Sequence, residues 1–367
     1  MSILDAGSPL VVATAHMAAN HLTFLEAGVV GLIQGVTELF PVSSLGHNVL
    51  IPALIGGQWQ QDLNVAGPES PYLAFIVGLH VATAIALLIY FWRDWVRIIG
   101  GFFRSLKHMA SPPPGEDRFE FRTVEERMAW LVILATIPVG LVGVLFEHEF
   151  RVIFGKPIAA AVFLTVNGVI LYAGERFRRK SSIQADEQVA AERELVLAGP
   201  TDIAEPASHV SRGHHAPESS QRAVRDAELA EAAAADRRLS QMGYGEAIII
   251  GCAQILALLA GISRDGVTMV AGMFRGLSRA DAARFAFLLA TPVILAAGAL
   301  KIPDLMGPLG NGIRGQVLFG SVLSGVGAYV SVRFLTRYFA KTRTLTPFAV
   351  YCLVVGVGST IYLGLIR

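Results

Sequence analysis

The stretch Gln34-Gly-Val-Thr-Glu38-Leu-Phe-Pro41-Val-Ser43-Ser44-Leu-Gly-His47 sets acid, amide, hydroxyl and imidazole groups inside apolar flanks. Gln34 and Glu38 are four apart, so a helix carries them on one face. Pro41 ends or kinks that helix. Ser43 or Ser44 can cap the next one, which continues through Gly46 to His47. The apolar pieces on either side, 24–40 and 44–56, are too short for two clean spans of about 20 residues each. A helix, a polar turn and a second short helix predict a re-entrant hairpin. Polar backbone is tolerated at membrane depth only where protein or a wet cavity surrounds it. The fold class that follows is an all-α integral membrane protein.

A second hairpin is predicted over 246–275, with the polar turn Gly261-Ile-Ser263-Arg264-Asp265-Gly-Val-Thr268. Shifting the chain by 220 positions superposes the two turns. Gly31 falls on Gly251, Gln34 on Gln254, Leu39 on Leu259, Ser43 on Ser263 and Gly46 on Gly266, five identities in sixteen positions. Each hairpin heads three apolar runs long enough to span: 72–92, 128–146 and 157–174 after the first, 283–300, 317–336 and 346–366 after the second. An odd number of crossings turns the second unit upside down. The expected architecture is two inverted repeats, 1–180 and 241–367, with the polar site near the midplane where broken helices meet.

Composition agrees. Of 367 residues 53% are hydrophobic and 16% charged, against roughly a quarter charged in soluble domains, and mean hydropathy is +0.53. A net charge of +1 gives no reason to expect a nucleic-acid partner. Cys252 and Cys352 sit in apolar runs and imply no disulfide framework. The start of the chain has no basic region of the signal-peptide type. No Lys or Arg occurs before Arg93, whereas 93–127 holds seven, 175–244 ten and 333–345 four. The positive-inside bias makes these three segments cytoplasmic. The first hairpin then dips in from outside and the second from the cytoplasm. Residues 181–240, rich in Ala, Glu, Arg, Ser and Gln, read as a flexible cytoplasmic insertion with helix near 221–240. His209, His214 and His215 read as solvated residues there, because no carboxylate or Cys frames them at ligand spacing.

Helix N-termini at both turns favour an anion. Arg264 adds a bidentate fork, which makes phosphate the natural ligand. Glu38 is a lone acid in an apolar run, functional by default. Simpler roles exist for its neighbours. Arg264 can be a counter-ion for Glu38 or Asp265, Gln34 a helix–helix hydrogen bond, Ser43 only a cap and His47 a packing residue.

The first motif, Gln34 to His47, resembles the (Glu/Gln)-x-x-x-Glu signature of the bacitracin-resistance family of undecaprenyl-diphosphate phosphatases. Gly261 to Thr268 is similar to that family's Pro-Gly-x-Ser-Arg-Ser-x-x-Thr motif. The likeness extends through Gly276-Leu-Ser-Arg279 and Phe285 to Pro292, and leaves out 181–240. The resemblance implies two interdigitated inverted repeats in a bacterial inner membrane, with a cavity facing outside. It implies hydrolysis of a polyprenyl diphosphate to the monophosphate with a divalent cation, Mg or Ca. By matched position it assigns catalysis to Glu38, Ser44, His47 and Arg264, and substrate binding to Gln34, Ser43, Ser263, Arg264, Asp265 and Thr268. Glu38 would also hold the metal. Gln34 stands where many members have Glu, Ala260 replaces the motif proline, and Asp265 replaces the motif serine. The residues leave open whether Ser44 or water attacks and whether the chain forms a homodimer. A lipid-phosphate transporter, or a silent phosphate binder, are the readings from other classes.

Overall fold

Thr23 starts the first helix by exchanging hydrogen bonds with Glu26: its hydroxyl accepts the Glu26 N–H at 3.2 Å and its own N–H donates to the Glu26 carboxylate at 2.8 Å. In the computed structural model, which describes residues 22–63, 71–115, 117–154, 156–197, 232–307, 310–341 and 344–366, helix α1 (Phe24–Thr37) follows. Glu38 is its C-cap, and Pro41 lies in the turn before α2 (Ser44–Ile55). Ser43 caps α2 by accepting the Gly46 N–H at 3.2 Å. A short α3 (Gly57–Asp62) closes this unit.

The second hairpin repeats this local chemistry. Gly243 N–H donates to the Glu246 carboxylate at 2.9 Å and opens α9 (Tyr244–Ala253). A 3-10 turn, Gln254–Leu258, ends it. Ser263 then caps α10 (Arg264–Phe274) by accepting the Gly266 N–H at 3.1 Å. Glu246 lies 220 positions after Glu26, so the correspondence extends beyond residues 31–46 and 251–266.

The longer helices are α4 (Pro71–Tyr90), α5 (Trp92–Ala110), α6 (Val124–Phe154), α7 (Pro157–Leu197), α11 (Arg279–Met306), α12 (Arg314–Ala340) and α13 (Thr346–Ile366), with a short α8 (Ala232–Ser240) before α9. There is no strand among the described residues. Among the described residues, five segments are long and apolar enough to cross a membrane: Val124–Phe146, Pro157–Arg178, Arg279–Leu300, Arg314–Ala340 and Thr346–Leu365. Two bent pairs add to these, α4 with α5 at 85° and α8 with α9 at 104°. The surface is inverted relative to a soluble protein. Leu141, Val144, Leu318, Val326 and Val354 are exposed, while Gln34, Asn48, Thr83, Asn167 and Ser324 are buried. That distribution suits a hydrocarbon solvent, and the chain is a multi-pass membrane protein.

Two expectations change. The segment 93–127 was expected to be a connection, yet most of it is α5, which leaves α4 through a sharp bend at Phe91. Trp92, Val96, Ile99, Phe103 and Leu106 form an exposed apolar stripe at helical spacing along α5, flanked by Arg93, Arg104 and Lys107, while Ile98, Gly101 and Ser105 on the far face are buried. This is the pattern of a helix lying at the membrane surface. The basic residues therefore marked a helix face and not a loop. In the range 181–240, α7 runs on unexpectedly to Leu197, while the helix expected near 221–240 is present as α8, with Leu239 fully buried. Residues 198–231, including His209, His214 and His215, lie outside the described residues.

The halves pack reciprocally. Helix α1 lies along α12, and α9 lies along α6; α4 packs on α11 and α7 on α13. Gly31 allows the first contact, since a Cβ there would overlap the Gly320 backbone, its Cα at 2.8 Å. Gly251, 220 positions later, does the same against Ala135, whose Cα would lie at 2.8 Å.

Candidate active site

The two polar turns meet. Ser43 has a left-handed backbone, φ 68°, uncommon for a residue with a side chain. Its hydroxyl accepts the Gly261 N–H of the other turn at 3.2 Å as well as its own capping N–H. Asn167 of α7 joins both turns from the side. Its Nδ2 donates to the Pro41 carbonyl at 3.0 Å, and its Oδ1 accepts the Ser263 N–H at 3.0 Å. The strained serine is held from both sides.

Glu38 is the hub of the cluster that results. Its Oε2 accepts Gln34 Nε2–H at 2.8 Å and the Ser44 hydroxyl. Its Oε1 accepts Arg264 Nη2–H at 2.9 Å, across the hairpins. His80 Nε2 lies 3.3 Å from Oε2. The Arg264 Nε is 3.4 Å from Asp265 Oδ1, so the guanidinium sits between two carboxylates. Asp265 is buried, and its Oδ2 has no hydrogen-bond partner among the described residues. Gln34 is oriented in turn by Asn48, whose Nδ2 donates to Gln34 Oε1 at 2.6 Å.

Gln34, Ser43, Glu38, Ser44, Arg264 and Asp265 are thus brought together. Ser263 is beside them as the α10 cap. Thr268 turns its hydroxyl back to the Arg264 carbonyl at 2.7 Å, and so supports the helix that carries the arginine. His47 is directed elsewhere: its Nδ1 pairs with the Ser43 carbonyl at 2.7 Å, its Nε2 with the Tyr351 hydroxyl at 2.7 Å, and the rings stack. His80 was missed from sequence, although it is the single His, Asp, Glu, Lys or Arg in the run 72–92. The rule that made Glu38 a candidate applied to it equally. Asn167, a buried amide within a span, was missed in the same way.

A nucleophile, a carboxylate base and a bidentate cation in one buried cluster suit transfer of a phosphoryl group. No group of three or more His, Cys, Asp or Glu able to hold a metal occurs among the described residues, so an all-protein cage is not what these residues offer. The Glu38 carboxylate and the unpartnered Asp265 Oδ2 do fit a hard cation that takes its remaining ligands from phosphate and water.

A family model described as bacitracin resistance protein BacA matches residues 27–202 and 222–358. An undecaprenyl-diphosphatase of Mycolicibacterium paratuberculosis is 55% identical over 345 residues, 94% of this chain and 99% of that protein. An undecaprenyl-diphosphatase 2 of Frankia alni is 52% identical over 93% of this chain and 98% of its own length. Another, from Chromobacterium violaceum, is 40% identical over 91% and 96%. The chain belongs to the BacA family of bacitracin resistance proteins.

Proposed function

We propose that this chain is a membrane phosphatase that hydrolyses undecaprenyl diphosphate to undecaprenyl phosphate, recycling a lipid carrier used in building the bacterial cell envelope. The observation that carries this is the Ser44–Glu38–Arg264 cluster, found in a chain whose relatives at 52–55% identity are named undecaprenyl-diphosphatases.

In the mechanism we favour, Arg264 turns its fork from Glu38 to the diphosphate and offsets charge developing on it. Ser44 Oγ attacks the terminal phosphorus while its proton passes to Glu38 Oε2. The bond from that phosphorus to the bridging oxygen breaks, and undecaprenyl phosphate leaves. Glu38 passes the serine proton to the leaving phosphate oxygen, then takes a proton from the water that attacks the phosphoserine and returns it to Ser44 Oγ as inorganic phosphate is released. Glu38 and Asp265 would hold a divalent cation, Mg or Ca, which when bound screens the phosphate oxygens. Gln34 and Ser43 fix the geometry, and Ser263 and Thr268 hold the helix bearing Arg264.

We read the architecture as two inverted repeats with the site facing outside the inner membrane. Matched roles support this: Glu26 with Glu246, Gly31 with Gly251, Ser43 with Ser263. The reciprocal α1–α12 and α9–α6 packing supports it too. The test is phosphate release from undecaprenyl diphosphate by purified protein, with and without a chelator. Lipid translocation without phosphate release would favour the transporter reading instead.

A further inference from the structure

The family resemblance points to His47 as the histidine of the site, yet both His47 ring nitrogens are spent on Ser43 and Tyr351. The histidine against Glu38 is His80, on α4, outside both hairpins. Its ring is fixed to its own helix, because Nδ1 donates to the Ile76 carbonyl at 2.8 Å. That bond directs Nε2 at Glu38 Oε2, 3.3 Å away. The same oxygen accepts the Ser44 hydroxyl. A nucleophile, a base and a third group orienting the base is the general logic of an activated serine. In this cluster the carboxylate stands as base and the imidazole as the orienting group.

Substrate binding makes the third group matter. Arg264 holds Glu38 Oε1 in the resting protein, and a diphosphate competes for that guanidinium. Once Arg264 turns to the diphosphate, Glu38 keeps Gln34, Ser44 and His80 among the contacts described. Gln34 shares a helix with Glu38 and moves with it, and Ser44 is the group to be activated. Ser44 opens the second helix of the same hairpin, so His80 alone of these three comes from outside it. We propose that His80 is the positioning residue for Glu38, holding its carboxylate on the Ser44 hydroxyl when Arg264 engages the diphosphate. This rests on the phosphatase reading.

The test is the kinetics of phosphate release for purified wild type, His80→Ala and His80→Gln, with melting temperatures. His80→Ala should lose about tenfold to a hundredfold in kcat, as misplaced catalytic groups do, with little change in KM. His80→Gln, which retains an N–H donor, should recover most of the loss at an unchanged melting temperature. Wild-type kcat in His80→Ala would overturn the proposal, as would equal losses in both variants tracking lower melting temperatures. An inactive wild type would instead refute the phosphatase reading. An experimental structure of His80→Ala then decides the positioning role without activity: Glu38 should be displaced from Ser44, and unchanged Glu38 contacts would overturn it.

Discussion

Arg264 is held between Glu38 and Asp265, so a diphosphate must compete with two carboxylates for one guanidinium. Arg264→Ala should abolish phosphate release while the protein still elutes as a folded species. Losing a desolvated charge pair of this kind costs on the order of 2–5 kcal/mol. Arg264→Lys should recover only part, because the fork is replaced by a point charge. Near-normal turnover in Arg264→Ala would remove it from the site. Asp265 has a buried oxygen with no partner in the described structure, which an incoming cation can satisfy. Asp265→Ser should therefore raise the metal concentration needed for half activity, read from titrations of both proteins. Superimposable curves would reject a direct role. Glu38 and Arg264 were legible in the sequence because a charge in an apolar run needs a reason. The diversion of His47 to Tyr351 was not, because it depends on a contact with α13, distant in the chain.

Helix packing here depends on two glycines and one amide. An added Cβ at Gly31 or Gly251 would collide with the backbone of the facing helix, and backbone cannot swing aside. Gly31→Ala and Gly251→Ala should each cost about 1–3 kcal/mol, the usual scale for overpacking, seen as lower melting temperatures in detergent. Unchanged melting for both would mean that the helices are not so close. Asn167→Leu keeps much of the side-chain bulk but strands the Ser263 N–H and leaves the Pro41 carbonyl only the weak Cys352 thiol contact at 3.8 Å. An unsatisfied buried group costs about 1–3 kcal/mol, and both turns should loosen, lowering kcat together with melting temperature. The hairpins were readable because Pro41, Ser43 and Ser263 carry local turn and cap preferences. The positive charges of 93–127 indicate a side of the membrane but no secondary structure; the signal for α5 lies in its apolar residues, which recur at spacings of three and four. The 3-10 turn at Gln254–Leu258 had no local signal. Its Gln254 side chain is drawn to the Ala135 carbonyl at 3.1 Å on another helix.

Over the whole molecule, the basic residues cluster at one set of connections. Reporters fused within 198–231 and near Lys341 should read as cytoplasmic, and one near Asp62 as external. An external signal from 198–231 would break the inverted-repeat reading. The same side carries a network centred on α8. Asp236 accepts Arg284 at 2.9 and 3.0 Å and Arg97 at 3.1 Å, and Arg238 grips Asp281 with two hydrogen bonds of 2.8 and 2.9 Å. Asp94 joins through Arg284 at 3.0 Å. Exposed single pairs contribute little, but here Asp281 is 3% exposed and Asp236 11%, and the arginines have several partners. Removing one side of a desolvated network leaves the other charges uncompensated. Helix α8 therefore ties α5 to α11. This divides the range 181–240 by function. Replacing 198–231 with a short Gly/Ser linker should leave melting temperature and phosphate release near wild type. Extending the excision through Ser240 should lower both, because Arg97 and Arg284 lose Asp236, Asp281 loses Arg238, and Leu239 leaves its packing. Asp236→Asn alone should reproduce part of the drop in melting temperature with kcat nearly kept, since the network lies away from Glu38. Equal stability of the short and long excisions would show that α8 rests on the protein without holding it together.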